Sequence, residues 1–320
     1  MDIGKSIGLE YGLPIRNAFG ETLREMGDEN PNLVVLDGDV GNSTRTNIFR
    51  DEYPGRFFNF GIAESNLVGV ASGMAASGKT VLAASFACFL LCNAYDQIRM
   101  SIAFPRENVK LVGSHSGISI GEDGPSQMGI EDIALASSLP HFTVVAPADE
   151  PSMRAATRAI LEHEGPVYLR SGRPRVPIVY DNGPAFELGK ANQLRDGGDV
   201  TIIAYGLMVA AALEAAAELS EEGIEARVLD MHTIKPLDAD AVEAAAKESG
   251  AVVTAEEHLL NGGLGGEVAR VVGERYPVPM GFVGIDNTYA ESGEPQELLA
   301  KYELMPSDIK NAVNQTLVRK

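Results

Sequence analysis

Basic residues are scarce in this sequence. Its 320 residues carry 26 Lys and Arg against 45 Asp and Glu, a formal net charge of −19. Neutralising nucleic-acid phosphates needs basic patches, so no nucleic-acid partner is expected. The same charge argues against an anionic membrane surface. Cysteine is scarcer still. Cys88 and Cys92 are the whole complement, too few for a disulfide scaffold in a chain this long. They also lack the second pair that a zinc site needs. Both lie in the apolar run Phe86–Cys92 and read as buried thiols of a protein kept in a reducing cytoplasm. No apolar run approaches the ~20 residues of a membrane span. The stretch Met1–Gly12 carries no apolar segment of the signal-peptide kind. The P-loop, His-Glu-x-x-His and Gly-x-Ser-x-Gly signatures are all absent. What is present is core material. Hydrophobic residues make up 45% and charged residues 22%, the proportions of a globular protein rather than a disordered one. The length suits two domains.

Apolar runs alternate with helical periodicity. Ile15, Phe19, Leu23 and Met26 form one helical stripe, followed by the strand-like Leu33–Leu36. Phe57–Phe60, Val81–Ala84, Val109–Val112, Thr143–Val145 and Val167–Leu169 read as further strands, with helical segments between them. Ala63–Ser77 reads as a buried helix rich in small residues. Such alternation predicts a mostly parallel α/β sheet covered on both faces. It stops between Gly172 and Asp199, where a crossing linker is expected, with a short β element at Ala185–Leu188. It resumes at Val200–Ala204 and continues through Ala226–Leu229, Val252–Ala255 and Ala-rich helices that close at Gly223 and Gly250. The expected division is a first domain over 1–182, a linker over 183–198 and a second α/β domain over 199–320.

Several polar clusters follow apolar strands, which is where open α/β sheets bind ligands. Glu64 follows Phe60-Gly-Ile-Ala; a carboxylate at a helix start is either a solvated dipole partner or a held, functional group. The segment from His115 through Glu122-Asp-Gly-Pro125 to Gln127 is long, polar and Gly-rich, a composition that favours a functional loop. Arg16 opens a helix and Arg170 ends a strand; an anionic ligand or surface salt bridges would account for both. Gly262-Gly-Leu-Gly-Gly266 opens another helix, as a structural turn or a phosphate cradle, and its spacing misses the dinucleotide fingerprint.

Three motifs in order carry a resemblance. Phe60-Gly-Ile-Ala-Glu64-Ser-Asn66, Ala94-Tyr-Asp-Gln-Ile-Arg99 and Gly121-Glu-Asp-Gly-Pro125 resemble transketolase and its relative deoxyxylulose-phosphate synthase. The likeness spans essentially the whole chain and corresponds to the pyrimidine-binding and C-terminal domains. The Gly-Asp-Gly of the family's diphosphate domain is missing: Gly38-Asp-Val40 and Gly27-Asp-Glu29 both fail at the third residue.

The resemblance therefore implies two doubly wound α/β domains forming the small subunit of a split transketolase. Its work would be to move a two-carbon ketol unit between sugar phosphates with thiamine diphosphate. A separate N-terminal subunit would hold the diphosphate and Mg²⁺, and this chain would self-associate into a dimer within an α2β2 assembly. By the same resemblance Glu64 partners the aminopyrimidine, Phe86 and Phe89 flank it, and Asp39 and Ile62 lie beside the cofactor. His115 and Asp123 would contact substrate hydroxyls, while Arg16, Ser43 and Arg170 would grip the substrate phosphate. Gln127 stands where the family often has a second histidine, and a glutamine cannot shuttle protons near neutral pH. The alternatives are the β subunit of a 2-oxo acid dehydrogenase-type enzyme, a deoxyxylulose-phosphate synthase, and a non-catalytic regulatory partner.

Overall fold

The computed structural model describes residues 1–181 and 183–320. Its first sheet has seven strands. Their spatial order is Thr233–Lys235, Thr143–Val145, Val167–Arg170, Val109–Ser114, Thr80–Phe86, Leu33–Asp37 and Phe57–Asn59. All neighbours pair in parallel except Thr233–Lys235, which runs antiparallel to Thr143–Val145. The second sheet orders Met280–Ile285, Val252–Leu259, Val200–Ala204, Ala226–Asp230 and Asn192–Arg195, the last antiparallel. Strands such as Leu33–Asp37 and Val200–Ala204 are buried at every residue. Continuous apolar runs arise because helices cover both faces of a parallel sheet.

Helix Ile15–Glu29 buries Ile15, Ala18, Phe19, Leu23 and Met26 on one stripe and packs against helix Glu150–Glu162. Asp149 caps the latter by accepting from Ser152 N at 2.9 Å, a contact worth about 1 kcal/mol.

Three expectations change. Ala185–Leu188 forms no strand; instead Arg175–Pro177 pairs with Tyr11–Pro14, and Asn192–Arg195 takes the edge of Ala226–Asp230. An edge strand has one side open to water, so Asn192–Arg195 is polar and escapes a hydrophobicity scan. Helix Glu64–Ala76 is not enclosed. Leu67, Val68 and Ala71 face inward, but Ser65, Asn66, Gly69 and Gly73 form an exposed stripe. Cys92 is also exposed and Cys88 only partly covered, because helix Ala87–Asn93 turns Ala87, Leu90 and Leu91 inward instead. No helix among the described residues is long and apolar enough to cross a membrane.

Candidate active site

The carboxyl ends of Leu33–Asp37, Thr80–Phe86 and Val109–Ser114 meet at one place, and the polar groups gather there. Glu64 is the first residue of its helix and only 4% exposed. Ser85 Oγ donates to its Oε1 at 3.0 Å. Gly38 lies against Ser85 and Glu64; a Cβ there would stand 3.0 Å from Ser85 Oγ. The other carboxylate oxygen has no hydrogen-bond partner among the described residues. A buried carboxylate held on one side needs a donor on the other.

Phe86 follows Ser85 directly, and Phe89 stacks on it. They follow one another at the start of helix Ala87–Asn93 and stack with ring centroids 5.7 Å apart and planes 12° apart. His115 stacks on Phe86 at 3.9 Å. A flat aromatic ring with a hydrogen-bond donor on its edge fits such a platform.

Asp37, not Asp39, carries the structural load of the first loop. Its carboxylate accepts from Val40 N at 2.7 Å, Thr44 Oγ1 at 2.8 Å and Thr46 Oγ1 at 2.7 Å. Asp39 is exposed, at φ 67°, and accepts from Asn59 Nδ2 at 2.6 Å; Asn59 Oδ1 in turn accepts from Gly61 N. That chain places Asp39 next to the segment leading into Glu64. Ile62 is 84% exposed.

A cavity of about 470 Å³ opens next to Phe86. His115, Asp123 and Gln127 line one side, Arg16 and Ser43 another. Arg45 and Arg173, which the sequence reading did not single out, complete it. Arg16 donates to the Ser43 carbonyl at 3.0 Å, its Nε is buried without a partner, and neither Arg16 nor Arg45 has a carboxylate partner among the described residues. Arg16 is held below the usual guanidinium range, first by burial and then by repulsion from Arg45 and Arg173. Concentrated positive charge in a chain of net charge −19 calls for an anion.

Arg170 does not join them. It is 7% exposed, and its Nε donates to Asp132 Oδ2 at 2.8 Å while its NH2 serves the Gly129 and Glu257 carbonyls. Arg170 lies inside strand Val167–Arg170, where side chains are buried, whereas Arg173 sits beyond the strand end, where ligands bind. A strict reading of that rule would have preferred Arg173.

Burial, then the Arg16 and Arg173 guanidiniums, push the His115 imidazole down to about 3. Its backbone sits at φ 61°, a strained conformation for a non-glycine residue that costs on the order of 1 kcal/mol. His115 is therefore a neutral hydrogen-bonding group at pH 7. Its NMR ring signals are expected not to titrate between pH 8 and pH 4; a midpoint near 6.5 would contradict the geometry. The sign for stability follows. The unfolded imidazole takes a proton near 6.5 while the folded one does not until about 3. This residue therefore lowers stability progressively as pH falls through that window.

The turn Gly262–Gly266 is structural. Helix Leu264–Arg275 begins within it, and Leu264 N and Gly265 N donate to the Glu256 carboxylate at 2.8 and 2.9 Å. The helix N-terminus is already occupied by a carboxyl group of the chain itself, one that burial pushes up to about 7. Gly263 must be glycine because a Cβ would overlap that carboxylate.

The first unit is thus a parallel sheet carrying a ring platform, a one-sidedly held carboxylate and an arginine-lined cavity, and it is followed by a second α/β unit. The transketolase pyrimidine-binding family model matches residues 12–178 and the transketolase C-terminal model matches 189–309. The chain belongs to the transketolase family. A solved structure described as split gene transketolase, inactive beta4 tetramer, superposes with a TM-score of 0.91 and is 47% identical; it covers 97% of this chain and 100% of its own. The 6-deoxy-6-sulfo-D-fructose transketolase subunit of Clostridium sp. (strain MSTE9) is 42% identical over 96% of this chain and 95% of its own length. Human transketolase is 38% identical over 95% of this chain but only 49% of its own length. The chain thus corresponds to the pyrimidine-binding and C-terminal domains of the family, the same extent as the split-gene transketolase chain it resembles.

Proposed function

We propose that this subunit completes a thiamine diphosphate site shared with an N-terminal partner and moves a two-carbon ketol unit between anionic sugars. Glu64 carries the proposal: it is buried and bonded on one side by Ser85, the residue next in the chain to the stacked Phe86. Thiamine diphosphate supplies, when bound, a nucleophilic carbon and its own base. Glu64 would hold a proton at the pyrimidine N1′ edge, while Phe86 and Phe89 would orient the ring and keep water from it. Asp39 and Ile62 would border the cofactor where the partner closes over it. His115, Asp123 and Gln127 would hold sugar hydroxyls, with His115 neutral throughout. Arg16, Ser43 and Arg173, with Arg45, would bind the terminal phosphate or sulfonate by charge-assisted hydrogen bonds. Arg170 has no place in that grip.

The first unit would be the pyrimidine-binding domain, divided from the second within residues 183–198. No Gly-Asp-Gly is present in the chain, so the diphosphate and Mg²⁺ would fall to the partner, in an α2β2 assembly within the cytoplasm. The exposed stripe of helix Glu64–Ala76, beside the exposed Ile62, Met100 and Phe104, is a surface for such packing. The solved relative built of four β chains, described as inactive, supports the need for a second kind of subunit.

Calorimetric titration tests this. Thiamine diphosphate with Mg²⁺ is expected to bind tightly only when both subunits are present, and Ile62→Glu is expected to weaken that binding at least tenfold while leaving the subunit folded. Tight Mg²⁺-dependent binding to this chain alone would overturn the shared-site reading.

A further inference from the structure

The loop that carries His115 and Asp123 belongs to the first unit, but the second unit holds its middle. Glu257 lies on strand Val252–Leu259 and is 5% exposed. Its Oε1 accepts from Ser119 N at 2.5 Å. That donor lies four residues beyond His115. Gly117 makes the approach possible. It sits at φ +83°, and a Cβ there would overlap the Glu257 carboxylate.

The same strand end clamps the far side of the loop. Leu259 N donates to the Ile130 carbonyl at 3.0 Å, and Ala134 N donates to His258 Nε2 at 3.3 Å. Arg170 joins the two sides by donating to both the Gly129 and the Glu257 carbonyls, at 3.1 and 2.9 Å. Gly117 N donates to that same Gly129 carbonyl at 2.7 Å. Farther along, Gly121 lies against Pro295 and Gly124 against Ser292, both of the second unit.

His115 needs this support. Its backbone is at φ 61°, which persists only where the surroundings over-determine it. Toward the first unit its neighbours are tied by Ser116 N donating to the Ser171 carbonyl at 3.2 Å. Toward the second unit the tie nearest to His115 is Glu257. We infer that Glu257 is a positioning residue of the second unit that holds residues 115–123, and with them the sugar-binding His115 and Asp123, in register with the aromatic platform and the arginine-lined cavity. The C-terminal unit thereby shapes the sugar side of the site while touching neither sugar nor cofactor. This rests on the proposed roles of His115 and Asp123.

The test compares wild type, E257A and E257Q. Amide hydrogen exchange on the full chain reads the loop without any activity. E257A is expected to exchange at least tenfold faster at residues 115–121, with the protection of strands Val200–Ala204 and Leu33–Asp37 unchanged. In the two-subunit enzyme it is expected to lose about 10²-fold in kcat/KM for the sugars, as misplaced contacts do, while thiamine diphosphate affinity stays within twofold. E257Q keeps one acceptor oxygen and is expected to recover part of both losses. Should E257A fail to fold, E257Q must itself show the loop-confined acceleration, at least threefold.

Acceleration spread through the whole second unit, with cofactor affinity and sugar kinetics falling together, would reduce Glu257 to a structural role and overturn the proposal. Unchanged loop exchange or unchanged sugar kinetics in an active enzyme would overturn it too, without touching the functional reading. A wild-type two-subunit enzyme that binds no thiamine diphosphate would overturn the functional reading and this proposal with it.

Discussion

Glu64→Gln is expected to lower ketol transfer by the assembled enzyme about 10³-fold, within the range that positioned proton-transfer groups contribute. The substitution is nearly isosteric. Ser85 Oγ can still donate to the amide oxygen as it does to Oε1, and removing a charge from a site only 4% exposed carries no folding penalty. The melting temperature is therefore expected to stay at or above that of the wild type, and thiamine diphosphate to bind within about tenfold of it. What is lost is the carboxylate's ability to hold a proton at the edge of the ring. Full activity in E64Q would make this chain a scaffold, the regulatory-partner reading, and would end the mechanism proposed for it.

Arg173→Ala and Arg170→Ala are expected to fail in opposite ways. Arg173 lies at the cavity, with the Ile120 carbonyl and the surface residue Glu122 as its partners. Its loss is expected to raise the KM for the anionic sugar roughly 30- to 100-fold, equivalent to about 2–3 kcal/mol of charge-assisted bonding. Stability is expected to change by no more than about 1 kcal/mol, because a surface ion pair contributes little. Arg170 is buried against Asp132, whose side chain is fully enclosed. Burial, the largest single influence, would push the Asp132 carboxyl up, but the Arg170 charge, His258 and the hydrogen bonds from Arg170 and Tyr168 together outweigh it and hold the group below the ordinary carboxylate value. Removing Arg170 leaves that carboxylate buried and unpaired, at a cost of about 3–5 kcal/mol. A drop in melting temperature on the order of 10 °C is expected, with sugar KM disturbed only as the fold loosens. The crossed result, stability lost in R173A and sugar affinity lost in R170A, would restore the assignment of Arg170 to the substrate. Scanning calorimetry and initial-rate kinetics on the two variants decide it.

Arg170 and Arg173 show where sequence reasoning stops. Both arginines lie in Arg170-Ser-Gly-Arg173, and nothing in residue type separates them. The strand's last residue decides which one is interior. Strand ends shift by a residue or two in any sequence reading, and here that is enough to separate an arginine in a buried ion pair from one that lines the cavity. Arg45 was out of reach for a different reason. It gains its place from a left-handed turn at φ 69° after Gly41–Thr44, which swings it beside Arg16 from 29 positions away in the chain.

By itself the sequence determined what depends on local periodicity and on linear motifs. Apolar runs of strand length between amphipathic helices can be buried only as a parallel sheet covered on both faces, so the α/β class and most of the strand cores were legible. Glu64 was legible too, because a carboxylate between an apolar strand and a small-residue helix is costly unless something holds it. Tertiary structure decided everything that joins distant segments. The pairing of Thr233–Lys235 with the first sheet, the polar edge strand Asn192–Arg195 and the capture of the Gly262–Gly266 turn by Glu256 leave no periodic trace. The grip of Glu257 on the His115 loop spans 138 positions in sequence. Each depends on one group's geometry relative to a partner far along the chain, and only the packed fold sets that geometry.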